Sequence, residues 1–158
     1  VPLPGVEPWD KTIAGPDFWH IPFHQIPDLP ETLVTGRQLE YFHYMLDPFR
    51  VSDAEVAHYA ASYSAPAQLS AGFGFYRAFP ANGKFNEAQR ASFEIPLVWA
   101  AGENSFFAKI AAGMAEGFRK LGCKKVKTEI IKGSTHFIAH DQPGKLAELI
   151  VRYASFPE

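Results

Sequence analysis

The sequence predicts an α/β fold in which a helical region, residues 1–92, precedes a strand–helix–strand–helix segment, residues 93–158. Three observations support this prediction. Two short runs in the second region have the apolar content of strands, and the segment between them has helical spacing. The first region is rich in Pro, Phe and Tyr and has no comparable strand runs.

The elements of the second region follow one another in a simple order. Residues 95–101 are a continuous apolar run that ends at Gly102, which is typical of a strand buried on both faces of a parallel sheet. Residues 106–121 carry apolar side chains at helical spacing and stop at Gly122. Residues 126–131 predict a second strand. Because a helix connects the two strands, we expect them to be parallel with a right-handed crossover.

A tight turn and a final helix complete this region. Residues 145–153 form an amphipathic run that predicts the helix, and Asp141 is expected to be its N-cap. Before it, the turn Gly-Ser-Thr-His places His136 directly after a strand. An imidazole held by such a turn has an ordinary pKa near neutrality, so His136 is a candidate general base. A loop histidine without a function is the alternative.

The first region is predicted to be helical. Ser52 and Glu55 form a capping box that predicts a helix start, and residues 68–79 are typical of an aromatic helix. Neither segment supplies a strand. Because two strands cannot form a stable parallel sheet with both faces covered, the chain is expected to be part of a larger fold.

Composition excludes several classes of function. The chain of 158 residues is 47% hydrophobic and 20% charged, with a net charge of −2, which gives no electrostatic case for binding nucleic acid or an anionic membrane. A single cysteine, Cys123, excludes an internal disulfide. No apolar run is long enough to predict a membrane span, and no signal peptide opens the sequence. Cytoplasmic and exported locations both stay open.

Several motifs together resemble a known family. They are Pro-Leu-Pro-Gly-Val at 2–6 with Trp9, Phe-Trp-His-Ile-Pro-Phe-His at 18–24, Pro-Asp-Leu-Pro-Glu at 27–31, Leu-Val-Thr-Gly-Arg at 33–37, Phe-Tyr-Arg-Ala-Phe at 75–79, and Gly-Ser-Thr-His-Phe at 133–137 with Gln-Pro at 142–143. This set resembles the epoxide-hydrolase-like subgroup of the α/β-hydrolase superfamily over nearly the whole chain. The resemblance implies a partial α/β-hydrolase fold: a helical cap followed by the last two parallel strands and the C-terminal helix of the core sheet.

The resemblance also implies a reaction. A carboxylate nucleophile in a missing N-terminal half would open an epoxide, and His136 would activate the water that hydrolyses the ester intermediate. His20 and Tyr76 match the cap residues that donate hydrogen bonds to the oxygen of the opening ring. Without the resemblance, His20 would be read as a packed aromatic-face residue and Tyr76 as part of the core. The aromatic side chains of Trp19, Phe23 and Phe75 are expected to line the substrate pocket.

The acid that orients the histidine is not obvious in this sequence. In the closest relatives it lies just before the Pro-x-Pro-Gly segment, which here corresponds to the residue preceding Val1. Glu103, after the first strand, is a possible alternative acid. His20 with His24, and His136 with His140, have the spacing of helical metal pairs, but further ligands at suitable spacing are missing. No metal and no cofactor are therefore expected.

The substrate and the partners are less defined. Haloalkanoate dehalogenases of similar architecture place a tryptophan after the cap histidine, and Ile21 occupies that position here. Dehalogenation therefore ranks behind epoxide hydrolysis, and ester hydrolysis ranks third. The expected partners are a small apolar substrate and the missing N-terminal half, and a homodimer through the cap is compatible with the family. A non-catalytic fragment or interaction module is the alternative from a different class.

Overall fold

The computed structural model describes residues 18–89 and 92–154. These residues form two compact units, the first covering 18–85 and the second covering 86–89 and 92–154. The expected motif at 2–6 and Trp9 lie outside the described residues. No helix in the described part of the chain is long and apolar enough to cross a membrane.

The first unit is helical, as predicted. Its elements are α1 (His20–Gln25), α2 (Leu29–Val34), α3 (Gln38–Leu46), a 3-10 turn (Asp47–Phe49), α4 (Asp53–Ser62), α5 (Pro66–Arg77) and α6 (Phe79–Ala88), which continues into the second unit. The predicted capping box is confirmed, because the Ser52 hydroxyl accepts from the Glu55 amide while the Glu55 carboxylate accepts from the Ser52 amide. Gly36, at φ +78°, provides the left-handed residue between α2 and α3.

Two apolar clusters hold these helices together. In the first, Phe42 and Leu46 of α3 pack against Val56 and Ala60 of α4. In the second, Val34 of α2 meets buried side chains of α5. Helix α1 also packs against α5, which brings the start of the unit beside the end of α5. This packing decides where the aromatic side chains of α1 lie.

The second unit contains the predicted pair of strands. Its elements are β1 (Leu97–Gly102), α7 (Phe106–Lys109), α8 (Ala111–Lys120), β2 (Val126–Ile131), α9 (Ile138–Asp141) and α10 (Pro143–Ala154). The strands are parallel, with Leu97 opposite Val126 and Gly102 opposite Ile131. Met114 of α8 is buried against Trp99 of β1, so the connecting helix covers the sheet.

Three sequence predictions are wrong in detail. The single helix predicted over 106–121 is two helices, because the chain leaves helical geometry at Ile110, at φ −108°. Burial of β1 on both faces is confirmed only at Ala101 and Gly102, and the rest of the strand is half-buried because β2 is its only neighbour in the described sheet. Asp141 ends α9 and is not the N-cap of α10, since its carboxylate turns back to the preceding loop.

Candidate functional site

The first unit gathers the predicted cap residues into one aromatic cluster. His20 is the first residue of α1, and Tyr76 is the last but one of α5. Their ring centroids lie 5.9 Å apart and their planes are perpendicular, so the imidazole and the phenol are neighbours. The packing of α1 on α5 produces this contact between residues that are far apart in sequence.

Burial keeps the Tyr76 hydroxyl in its donor form. Desolvation raises the pKa of Tyr76, with a further contribution from Tyr63, so the phenol stays protonated at physiological pH. A protonated phenol donates one hydrogen bond and can therefore stabilise an oxygen on which negative charge develops. Desolvation raises the pKa of the neighbouring Tyr41 as well. The cluster therefore offers neutral hydroxyl groups and no phenolate.

His24 is a further member of the cluster to which the sequence assigned no role. Only 2% of its surface is exposed, and its ring centroid lies 4.4 Å from that of Tyr76 and 4.7 Å from that of Phe73. Its Nε2 is hydrogen-bonded to the Tyr41 hydroxyl, whereas Nδ1 has no hydrogen-bond partner within the part of the chain that the structure describes. In the sequence, the four-residue spacing from His20 was the signal that the two histidines lie on the same face of one helix.

The electrostatics of His24 follow from this burial. Desolvation, together with the nearby His20 and Arg77, lowers its pKa to about 4. The imidazole is therefore neutral in the physiological range. Within the described residues, no group of three His, Cys, Asp or Glu side chains is placed to hold a metal ion. The rings of His20 and His24 are in contact, with centroids 5.9 Å apart.

An ion pair fixes the end of α5 beside this cluster. The two terminal nitrogens of the Arg77 guanidinium, Nη1 and Nη2, donate to the Glu31 carboxylate of α2 at 2.8 Å, and Nη2 also donates to the Ile26 carbonyl. Hydrogen bonding from Arg77 lowers the pKa of Glu31 to about 2. The Gln25 side chain donates to the Tyr76 carbonyl at 3.2 Å. The bond from Gln25 holds the backbone of Tyr76, and the bonds of Arg77 hold the next residue against α2.

The predicted pocket residues have different positions. Trp19 contacts the rings of His20 and Phe23, with centroids 6.0 Å and 5.9 Å apart, so these two aromatic side chains belong to the cluster. Phe75 is 77% exposed, and among the residues that the structure describes it has no ring contact with the cluster. Because successive residues of a helix point in different directions, Phe75 and Tyr76 cannot both face α1.

The second unit carries His136 on the loop between β2 and α9. The residue is exposed, and its ring lies against Phe107 and Phe137, with centroids 5.4 Å and 4.9 Å away. Desolvation by these surroundings lowers its pKa, so the imidazole is neutral at physiological pH. A neutral imidazole can accept a proton from water, which is what a general base requires.

The loop before His136 lies directly over the end of β1. Gly102 is so close that a Cβ added to it would lie 1.9 Å from the Thr135 carbonyl oxygen. The Asn104 amide donates to the Ser134 carbonyl at 2.9 Å. On the other side, the Asp141 carboxylate accepts hydrogen bonds from Ser134 and Thr135. This arrangement holds the chain immediately before the imidazole.

Glu103, the alternative acid, has a different partner. Its carboxylate accepts from the Gly133 amide at 3.0 Å, and its own amide donates to the Ile131 carbonyl at 2.9 Å. Ser105, two residues further along the chain, accepts from the Phe107 amide and is the N-cap of α7.

Comparisons with known proteins agree on the fold. No protein-family model matches the sequence, and no curated protein matches it. Among solved structures, the chain is similar to Cfl2 from Burkholderia cenocepacia, with a TM-score of 0.76 and 28% identity over 96% of this chain and 54% of that chain.

Two further solved structures have names that describe hydrolases. ALR0039 from Nostoc sp. PCC 7120, provisionally described as an α/β-hydrolase, has a TM-score of 0.78 and 19% identity over 98% of this chain and 56% of that chain. The epoxide hydrolase CorEH has a TM-score of 0.69 and 17% identity over 87% of this chain and 50% of that chain. The chain thus spans about half the length of these structures. With its helical first unit and its pair of parallel strands, it has a partial α/β-hydrolase fold.

Proposed function

We propose that this chain supplies the cap and the general base of an epoxide-hydrolysing α/β-hydrolase. The nucleophile, the acid and the remaining strands would be supplied by a segment that precedes Val1. The observation that supports this proposal most is the perpendicular contact between His20 and Tyr76, two groups that can donate to one oxygen. The similarity to the epoxide hydrolase CorEH supports the same reaction class.

The proposed reaction has two covalent steps. In the first, a carboxylate oxygen of the preceding segment attacks an epoxide carbon, and the carbon–oxygen bond of the ring breaks. Tyr76 and His20 donate hydrogen bonds to the departing oxygen, and the Tyr76 hydroxyl then transfers its proton to it. The oxygen becomes a hydroxyl group of the ester intermediate, and Tyr76 becomes a phenolate. These bonds strengthen as negative charge develops on the oxygen, and they therefore stabilise the transition state more than the substrate.

In the second step, His136 accepts a proton from water. The resulting hydroxide attacks the carbonyl carbon of the ester, the bond to the alcohol oxygen breaks, and the diol leaves with the nucleophile restored as a carboxylate. The lowered pKa of His136 keeps the imidazole in the proton-accepting form at neutral pH. The protonated imidazole then returns its proton to the alkoxide of the leaving diol. The second proton of the water leaves the carboxylic acid that has formed and restores the Tyr76 hydroxyl, so that both the carboxylate and the phenol are regenerated.

The neighbourhood of His20 favours epoxides over haloalkanoates. The next residue, Ile21, is buried, and its side chain has no N–H group to offer a leaving halide. Tyr76 remains as a protonated phenol, which suits an oxygen leaving group that must gain a hydrogen bond. The rings of Trp19 and Phe23 add apolar surface to the same cluster, which suits a small apolar epoxide.

The decisive experiment is to trap the ester in the full-length protein. His136→Gln should still open an epoxide and should accumulate a covalent adduct, because the base for the second step is missing. Intact-mass spectrometry after mixing with a small apolar epoxide such as styrene oxide detects this adduct as a mass increase equal to that of the epoxide. Sustained multiple turnover by His136→Gln would contradict the role of this histidine.

The cap donors have a matched test. Tyr76→Phe removes only the hydroxyl group and should slow formation of the ester by roughly 100-fold, in the range measured for loss of one oxyanion donor. Tyr59→Phe is the control, because Tyr59 is exposed on α4 and belongs to a different helix from the cluster. Equal rates of ester formation in the two variants would contradict the donor role of Tyr76. A purified species of 17.6 kDa with no second fragment and no turnover would indicate a non-catalytic module.

A further inference from the structure

The carboxylate of Asp141 makes an unusual set of hydrogen bonds. One of its oxygens, Oδ2, accepts from the Ser134 hydroxyl at 3.2 Å, from the Thr135 hydroxyl at 2.6 Å and from the Thr135 amide. The side chain is only 3% exposed. All three donors belong to the two residues that immediately precede His136. We call Asp141, Ser134 and Thr135 the loop anchor.

The loop anchor is also held from the side of the sheet. Ser134 is fully buried, and its carbonyl accepts from the Asn104 amide at 2.9 Å. The Thr135 carbonyl lies directly over Gly102, where no side chain intervenes. The two residues before the imidazole are therefore fixed between the end of β1 on one side and a carboxylate on the other.

The carboxylate is charged in this buried position. Desolvation raises the pKa of Asp141, but the hydrogen bonds from Thr135, Ser134 and His140 outweigh this effect and lower it overall. Removing a charged group from water is costly, and three donors from consecutive residues offset that cost only while the loop keeps this conformation. The loop conformation and the ionised carboxylate therefore stabilise each other.

We propose that Asp141 is a positioning residue for His136: it holds Ser134 and Thr135 so that the imidazole has one orientation from which it can activate water. This inference rests on the proposed function, because it assigns the loop anchor to the second covalent step. The consequence is a specific kinetic pattern. Loss of the loop anchor should slow hydrolysis of the ester and should leave its formation unchanged, since the groups that open the epoxide lie elsewhere in the chain.

The test uses three variants of the full-length protein. Asp141→Asn replaces the shared acceptor by a neutral amide, Thr135→Val removes the hydroxyl donor while keeping the shape of the side chain, and Thr135→Ser restores the hydroxyl. Single-turnover kinetics with the epoxide separate ester formation from ester hydrolysis. We expect ester hydrolysis in Asp141→Asn to fall by roughly 100-fold, as a displacement of about 1 Å does in other sites. Thr135→Val should show a smaller loss, which Thr135→Ser recovers.

A spectroscopic measurement distinguishes positioning from a merely structural role. With isotope-labelled histidine, the ring signal of His136 is identified by its absence in His136→Gln. It should be a single narrow line in the wild-type protein and broadened or split in Asp141→Asn. An unchanged line together with wild-type ester hydrolysis in both Asp141→Asn and Thr135→Val would overturn the inference, as would an equal fall in both chemical steps.

The same experiments separate this inference from the proposed function. If neither the wild-type protein nor His136→Gln forms an ester, the proposed function fails. If His136→Gln accumulates the ester but both Asp141→Asn and Thr135→Val hydrolyse it at the wild-type rate with an unchanged His136 line, only the positioning role of Asp141 fails. If Asp141→Asn does not fold, Thr135→Val is the deciding variant, because it keeps the carboxylate and its hydrogen bonds from Ser134 and from the Thr135 amide.

Discussion

Replacing Gly102 by alanine should displace and destabilise the loop that carries His136. Gly102 is the last residue of β1 and is buried. A Cβ at this position would lie 1.9 Å from the Thr135 carbonyl oxygen and 2.7 Å from that of Ser134, whereas real Cβ atoms essentially never approach another heavy atom within 3.0 Å. Both obstructing atoms belong to the backbone, so no side-chain rotation can relieve the overlap.

The magnitude follows from these distances. The Thr135 oxygen must move away by about 1 Å, which strains the hydrogen bonds that Asp141 makes with this loop. Forcing extra atoms into a packed position costs about 1–3 kcal/mol in general, and we expect about 3 kcal/mol here because the neighbours are backbone. A shift of this size in a catalytic group can reduce a rate by roughly 100-fold. We therefore expect slow ester hydrolysis with unchanged ester formation.

The assay combines urea unfolding with single-turnover kinetics in the full-length protein. Gly144→Ala is the matched control, because it adds the same methyl group within α10 where nothing lies within 4 Å. Alanine is also a better helix former than glycine, so the control should gain up to about 1 kcal/mol. Wild-type stability and wild-type ester hydrolysis in Gly102→Ala would refute the argument that this loop conformation requires a residue without a Cβ atom at position 102.

Two further predictions concern the cap. His24→Phe should make the free energy of unfolding less sensitive to acid. The pKa of His24 falls from 6.5 to about 4 on folding, so the stability linked to its neutral form is fully present above pH 6.5 and is lost as the pH falls towards 4. Between pH 7 and pH 4.5, the free energy of unfolding should fall by on the order of 2 kcal/mol more in the wild type than in the variant, as measured by urea unfolding. Parallel pH profiles of the two proteins would contradict burial of this imidazole. Arg77→Met should lower the free energy of unfolding by about 2 kcal/mol, because the half-buried Glu31 carboxylate loses the two hydrogen bonds from the guanidinium group. Arg119→Met, which removes an exposed ion pair, should change it by less than about 1 kcal/mol, and equal losses in the two variants would show that the Arg77 pair is an ordinary surface contact.

Local sequence signals predicted the individual elements well. The capping box at Ser52, the strand at Val126–Ile131 and the parallel pairing are all confirmed. These features depend on neighbouring residues or on a short connection, so the sequence contains the relevant information. The errors have a common cause. The break at Ile110 and the turn of Asp141 towards Thr135 both depend on packing between segments that periodicity does not describe.

The candidate site shows the same division. The resemblance identified His20, Tyr76 and His136, and it implied a partial α/β-hydrolase fold, which the comparisons confirm. The roles of these residues stay predictions until the ester is trapped. The sequence assigned no role to His24, because a histidine four residues from another gives no indication of its burial among Tyr41, Phe73 and Tyr76.

The sequence by itself therefore predicted the order and type of most elements and the class of fold, and it supplied the candidate catalytic side chains as predictions. Hydrophobic periodicity, caps and turn residues act over a few positions and can be read directly. Only the tertiary structure decided that His20 contacts Tyr76, that Asp141 accepts hydrogen bonds from the residues before His136 and that Gly102 leaves space for these residues. These contacts join distant segments, and their geometry depends on how helices and strands pack, which local patterns do not specify.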